Sequence, residues 1–446
     1  MALKSITRTL AAEVLATTYG GAPSEAQRAI KSLVIDHIGI AYMGHAFVGK
    51  ELARYARDVG GRADAVLIGE GVRVPAEFAA AVNAQNARNT DYEDTGPGLH
   101  PGPLVVHTAL AMGQRCGASG AKVLSAAMAG YLLSGRFHFS RRKDIDLPQM
   151  STCAAAISGY LLGFDEDQMS SALSLAWEFP HRPNLYNRPK IRKRASAVGY
   201  GNLFFCRNGI QAALMTAAGL RSVPDEIDQH AADYDSARLT DPTRPYHYLS
   251  QTMQLKPWVT SRFAQSVIQT LGELVREHRI DPASVTRLRV YLPSIYLIPL
   301  QFEPSPDTYF EAIYSVHWAV AMAVLGVPTG TSWVTKERLA DPVSRRMAAM
   351  VEVIEDPEST KAFNELRWLD ISGAAEIEAG GNVYRGERRL RDTYGSPAAP
   401  MTQAMVENKF MDATSRSMPA AKARTLFAAL QTIERVADVN DIAKLM

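Results

Sequence analysis

Asp91, Glu93 and Asp94 fall within four residues, Thr95 follows, and His100 comes five residues later, inside the segment NAQNARNTDYEDTGPGLHPG from Asn83 to Gly102. Carboxylates and an imidazole on a Gly- and Pro-shaped turn are a usual way to hold proton-transfer groups off a rigid scaffold. The competing structural reading is that Asp91 or Asp94 caps the next helix and His100 merely packs. A second candidate is Lys256, in Leu255-Lys256-Pro257-Trp258. The residue before a proline is held extended, and a lysine so held can aim its ammonium at a substrate carboxylate or enolate. Most lysines, however, are simply solvated. A third stretch, His181 to Arg194, carries Arg182, Arg188, Lys190, Arg192, Lys193 and Arg194 with no acidic residue. It suits an anionic substrate, a phosphate backbone, a partner's acidic face or a plain solvated loop. Finally, Arg136 closes an apolar helical run and His138 follows it. An unpaired guanidinium is costly to bury, so Arg136 has a partner or lines a polar cavity, while His138 either packs or takes part in function.

Several function classes are disfavoured. Tyr186 and Tyr200 flank the basic loop, which raises single-stranded nucleic acid as a ligand. A net charge of +2 over 446 residues and the lack of any RNA- or DNA-binding module argue against it. The three cysteines, Cys116, Cys153 and Cys206, show no C-x-x-C spacing, against both a disulfide framework and a structural zinc site. There is no phosphate-binding loop, no G-x-S-x-G elbow and no H-E-x-x-H. Side chains alone are therefore expected to do the chemistry, with no cofactor and no metal. No uncharged apolar run reaches the ~18 residues needed to span a bilayer. Met1 to Tyr19 reads as an amphipathic helix rather than a signal peptide, so a cytoplasmic protein without membrane partners is expected.

The elements that must position these residues are mostly helical. The length exceeds the ~250–300 residues at which one core usually stops growing, so two domains are expected. Ser24 and Gln27 form a candidate capping box before the apolar face of Ile30, Leu33, Val34, Ile38 and Ile40. Pro75 suits the first turn of a helix through Phe78, Ala81 and Val82. Further helices are read at about 104–116, 121–137, 151–162, 167–177 and 203–220, rich in small residues that permit close approach. Near residue 280 the pattern changes. Val285, Leu288, Val290 and Leu292 alternate with polar neighbours, the period of a half-buried strand. Val351 to Ile354 and Leu369 to Ile377 are further strands, and Gly380-Gly381 turns the chain into Val383–Arg389. A helix at Ala312–Leu325 lies between them, and helices resume after Gly395-Ser396-Pro397, ending in Thr425–Val436. The expected fold is mainly α: a large all-helical domain, residues 1–274 completed by 398–446, interrupted by a smaller α+β domain at 275–397.

The sequence resembles the MmgE/PrpD family nearly end to end. The resemblance rests on I-D-H-I-G at 35–39, D-Y-E-D-T with H-P-G at 91–102, G-Y-L-L-S-G-R at 130–136 and L-L-G-F-D at 161–165. It continues through R-N-G-I-Q-A-A-L at 207–214, K-P-W at 256–258, A-I-Y-S-V-H-W-A-V-A at 312–321, then G-S-P and E-N-K-F at 407–410. That family includes 2-methylcitrate dehydratases, cis-aconitate decarboxylases and iminodisuccinate epimerases. The resemblance implies a helical domain, a smaller α+β lid, a cleft between them, a homodimer, and an active site without metal or organic cofactor. Carried over by motif, the site residues are Asp91, Thr95, His100 and Lys256. The sequence departs from the family pattern at Arg88, where a histidine is usual, and at Asp146–Thr152, which lacks the usual histidine. Only Lys193 or Arg194 matches a further K-x-x-H element, and the loop from Thr95 to His100 is one residue short. The implied roles are a proton shuttle at His100 with its ring positioned by Asp91, and a hydrogen bond from Thr95 to the substrate. Lys256, Arg136 and Arg194 are expected to bind substrate carboxylates. Arg88 and Lys193 are further candidates for substrate binding, with His138 and Tyr131 as secondary proton donors. The leading expected reaction is dehydration of a 2-hydroxy polycarboxylate, with epimerisation and decarboxylation as rivals. A non-catalytic descendant that binds an anion or a partner is the reading from another class.

Overall fold

The structure, a computed structural model, describes residues 5–96, 100–140, 148–179, 201–241, 246–298, 301–365 and 367–446. The chain is mainly helical with a small α+β part, as the pattern predicts. The centre is built from Ala76–Arg88, Gly102–Cys116, Gly120–Ser140, Pro148–Leu162 and Gly201–Ala217. These helices are buried around most of their circumference, which is why their sequences show apolar runs rather than a single stripe. Small residues set the spacing. A Cβ at Gly209 would strike the Ser151 carbonyl and Ala154, so only glycine lets the Gly201–Ala217 and Pro148–Leu162 helices meet there.

The N-terminal helix, Ile6–Ala16, packs on Glu166–Glu178 and Gly120–Ser140. Its neighbour Ser24–Gly44 begins differently from the expected capping box. Pro23 is the N-cap, Ser24 is already helical, and the Gln27 amide reaches back to the Ala22 carbonyl at 2.9 Å. Pro75 likewise stands at the N-cap, one residue before the Ala76–Arg88 helix. No described helix is long and apolar enough to cross a membrane.

Two short strands, β1 Ala65–Val66 and β2 Arg73–Val74, pair antiparallel, and the principal sheet has strand order β4-β3-β5-β6, with β3 Val285–Leu292, β4 Val351–Glu355, β5 Ser372–Ala379 and β6 Asn382–Arg389. β3 runs parallel to β4 and antiparallel to β5, and β5 and β6 form the hairpin at Gly380-Gly381. The inward residues of β3 are Val285, Leu288, Val290 and Leu292, and its arginines pair outward with Glu352 and Glu376. The Gln265–Glu277 helix packs across β5 and β6, so the sheet's covering layer begins before residue 275. The region predicted as one helix at 312–325 is two, Tyr309–Tyr314 and Val316–Val324, because Ser315 turns extended and caps the second through the Trp318 N–H. Near the C-terminus, Gln403–Thr414 returns to pack on Ser24–Gly44.

Candidate active site

The acidic segment leaves the C-terminal end of the Ala76–Arg88 helix and turns at once. Asp91 adopts φ +45°, a left-handed conformation that aspartate tolerates better than most residues. That turn sends successive carboxylates to different partners. None of them caps the next helix, Gly102–Cys116, whose N-cap is Pro101.

Asp91 faces Lys256. The Lys256 ammonium, fully buried, donates to the Asp91 carbonyl at 2.9 Å and to its Oδ1 at 3.1 Å. Glu93 Oε2 lies 4.0 Å from the same ammonium. Glu93 also faces His100: His100 Nδ1 is 2.8 Å from Glu93 Oε1, and Arg88 Nη1 is 2.8 Å from that oxygen. The ring of His100 is therefore positioned by Glu93, not by Asp91, which holds the lysine instead. Arg88, standing where the family pattern has a histidine, bridges both carboxylates, with Asp91 Oδ1 at 3.3 Å.

The charges act on one another strongly because the cluster is buried. Burial opposes ionisation of Glu93, but Arg88, Lys256 and His100 outweigh it and hold its carboxyl well below the usual range. Burial, reinforced by Arg88, pushes the His100 imidazolium down, with Glu93 opposing. His100 is thus neutral near pH 7. A carboxylate beside Nδ1 favours the proton on that nitrogen, which leaves the Nε2 lone pair to accept one. The side chain is 26% exposed, while Glu93 is fully enclosed. An imidazole base with its other nitrogen fixed by a carboxylate, next to buried cations, is equipped to take a proton and hold the anion that results.

Beneath this layer lies a second one. Asp94 turns inward, with His37 Nε2 at 2.8 Å from Oδ1 and the Tyr131 hydroxyl donating to Oδ2 at 3.0 Å. Burial, then Asp94, raises the Tyr131 phenol well above its ordinary value, so it stays a donor to Asp94. A Cβ at Gly102 would strike both His37 and Asp94, so the glycine of H-P-G is required for this contact. Thr95 pairs with Gln254 through two backbone bonds of 2.9 and 2.8 Å, tying the acidic segment to the segment that carries Lys256.

Sequence reasoning left Lys409 and Asp36 out of the candidate site. The Lys409 ammonium sits 2.6 Å from Asp36 Oδ1 and donates to the Tyr92 carbonyl at 2.8 Å and the Lys256 carbonyl at 2.9 Å. Its three donors thus clamp both backbones that carry the site. The signal was present in E-N-K-F: Val406, Lys409, Phe410 and Ala413 form one buried face, and a lysine on such a face requires a partner.

Two other expected residues lie elsewhere. Arg136 pairs with Glu13 of the N-terminal helix at 2.9 Å, anchoring that helix rather than meeting the Asp91–Glu93 cluster. His138 sits among aromatic rings, 5.6 Å from Trp368 and 5.3 Å from Phe139. Lys193, Arg194 and the rest of the basic stretch fall outside the described residues. Among the described residues, no His, Cys, Asp and Glu side chains group to hold a metal ion.

The chain matches the MmgE/PrpD N-terminal domain over residues 8–237 and the MmgE/PrpD C-terminal domain over residues 258–435. It is 23% identical over 476 residues to a cis-aconitate decarboxylase from Homo sapiens, covering 100% of this chain and 95% of the relative. It is also 21% identical over 475 residues to a cis-aconitate decarboxylase from Mus musculus, covering 100% and 94%.

Proposed function

The chain belongs to the MmgE/PrpD family, and from that premise we propose that it is a lyase that moves a proton beside a carboxylate of a small polycarboxylate. The observation that carries this reading is the neutral His100, held at Nδ1 by Glu93 between the cations of Arg88 and Lys256. His100 Nε2 removes the proton next to the substrate carboxylate. The electron pair moves into that carboxylate as an enediolate, and Lys256 and Arg88 stabilise the charge in a site from which water is largely excluded. The Thr95 hydroxyl, which donates to the Gly96 carbonyl at 3.1 Å, turns to a substrate oxygen when the acid binds.

In the leading reaction, dehydration of a 2-hydroxy polycarboxylate, the pair returns to form the carbon–carbon double bond as the C–O bond breaks. The imidazolium formed at His100 supplies the proton that lets the hydroxyl leave as water. Decarboxylation of an unsaturated polycarboxylate is the second reading, favoured by the two relatives named as cis-aconitate decarboxylases. There the C–C bond to the departing carbon dioxide breaks, its electron pair stays on the substrate, and a proton taken up from solvent and delivered through His100 protonates the carbon left behind. We include a homodimer in the proposal, to be measured by light scattering.

Proton NMR in deuterated water against citrate, 2-methylcitrate, longer alkylcitrates, cis-aconitate and iminodisuccinate tests the reaction. An alkene product identifies dehydration, carbon dioxide release identifies decarboxylation, and label entering recovered substrate identifies epimerisation. Conversion that persists unchanged in His100→Ala would overturn the role given to His100. No conversion across the panel would remove the lyase reading for these acids.

A further inference from the structure

Among the described residues, Arg262 is a buried cation with no anion. It stands six residues after Lys256, opening the short 3-10 turn Arg262–Ala264, and is 3% exposed. Each of the other buried cations near the site has a carboxylate: Arg88 has Glu93, Lys256 has Asp91, and Lys409 has Asp36. Among the described residues, Arg262 has only a backbone oxygen, the Gly96 carbonyl, which accepts from Nη1. Its Nε and Nη2 are buried without a hydrogen-bond partner among those residues. Burial lowers its pKa to about 10, and the groups that oppose this are the phenols of Tyr248 and Tyr296. The guanidinium therefore remains charged at neutral pH.

Enclosing a charge without a counter-ion is strongly unfavourable, so such groups are kept where a ligand completes them. The open edge has a definite shape. Nε–H and Nη2–H point the same way from one side of the guanidinium plane, the side-on fork that takes both oxygens of a carboxylate. The location is equally informative. Gly96 follows Thr95, and Thr95 is directly paired with Gln254. Residues opposed in an antiparallel pair place their side chains on one face, and both amide atoms of Gln254 are buried without a partner. A charged fork and an unsatisfied amide thus both border the backbone of Thr95 and Gly96.

We propose that Arg262 is the anchor for a carboxylate of the substrate, gripped side-on by Nε and Nη2, with Gln254 completing the polar lining. This rests on the polycarboxylate lyase reading for the rest of the ligand, while the carboxylate itself follows from the orphaned fork. His100 and Lys256 would act at the reacting carbon, and Arg262 would hold a carboxylate that does not react.

The test uses the full chain and tricarballylate, a tricarboxylate with no hydroxyl to lose and no double bond, titrated by calorimetry beside inorganic phosphate and chloride. The wild type is expected to bind tricarballylate in preference to both inorganic anions. Loss of a charge-assisted pair should weaken that binding about 100-fold in Arg262→Gln. Arg262→Lys, which keeps the charge but not the fork, should weaken it about 10-fold. The melting temperature of ligand-free Arg262→Gln should not fall, because the orphan charge has been removed. Should that variant fail to fold, Arg262→Lys decides by the same titration. Wild-type affinity in a folded variant, no tricarballylate binding by the wild type, or tighter phosphate binding would each overturn the proposal. Turnover with an unchanged KM in Arg262→Lys overturns the anchor and leaves the lyase reading standing. Arg262-dependent tricarballylate binding without turnover on any acid does the reverse.

Discussion

Two ionic clusters in this molecule pair acids and bases at similar distances in different environments. On the outer face of the sheet, Arg287 meets Glu352 at 2.7 Å with both side chains nearly half exposed, and beside them Arg289 meets Glu378 at 3.1 Å and the more enclosed Glu376 at 3.0 Å. In the interior, Arg88 meets Glu93 at 2.8 Å and Lys256 meets Asp91 at 3.1 Å. Exposed ions exchange one hydrated state for another and hold long side chains still, so the net gain is small and salt reduces it. Buried ions have given up their water, so each depends on its partner, and the field of each reaches the next group little screened. Burial, and then the Arg88 charge, keeps His100 neutral, while the cations around Glu93 keep it ionised against its own burial. Bond length does not distinguish the clusters; solvent does.

The comparison breaks most visibly at His100. His100→Ala should lower kcat on the converted acid on the order of 1000-fold, while Arg287→Ala leaves kcat unchanged in the same assay. Equal activity in the two variants would mean that the buried cluster is merely structural. Lys256→Met should cost about 100-fold or more in kcat/KM, the scale of a lost charge-stabilising donor. Lys409→Met sharpens the contrast in stability. It leaves Asp36 buried and unpaired and should remove about 3–5 kcal/mol of unfolding free energy by urea titration. A loss no larger than that of an ordinary surface substitution would show that the clamp is not needed.

A subtler effect is expected at Arg88. Burial, and then Arg88, pushes the His100 pKa down, and activity requires the neutral ring, so activity falls as pH drops through that pKa. Arg88→Gln should raise the pKa and move the acid limb of the kcat/KM profile to higher pH. A limb that stays in place or moves to lower pH would show that Arg88 does not act on His100. The smallest effect belongs to the sheet: Glu352→Gln should leave the thermal midpoint within measurement scatter, at low and at high salt.

Much of the fold was legible because it is written in short-range patterns. The alternation of Val285, Leu288, Val290 and Leu292 located β3, and Gly380-Gly381 located the β5–β6 hairpin. The Gly-rich acidic segment stands out as a candidate site because carboxylates, threonine and histidine crowd one turn. Pattern failed where caps and breaks depend on single side chains. Ser24 offered a capping hydroxyl, but the helix starts after Pro23; Ser315 split a helix whose apolar run is continuous. Arg136 was correctly read as needing a partner or a polar surrounding, yet nothing local indicates that the partner is Glu13.

The sequence alone determined the element types, the change of character near residue 280, and the crowding of proton-transfer groups between Asp91 and His100. Periodicity and turn chemistry act over a few residues, and those features need nothing more. Only the tertiary structure decided which carboxylate serves which cation. Lys256 reaches Asp91 across 165 residues, Lys409 reaches Tyr92 across 317, and His37 reaches Asp94 across 57. At such separations a side chain's partner is chosen by how the helices stack and by what burial leaves without water. The orphaned edge of Arg262 becomes visible only once that choice has been made.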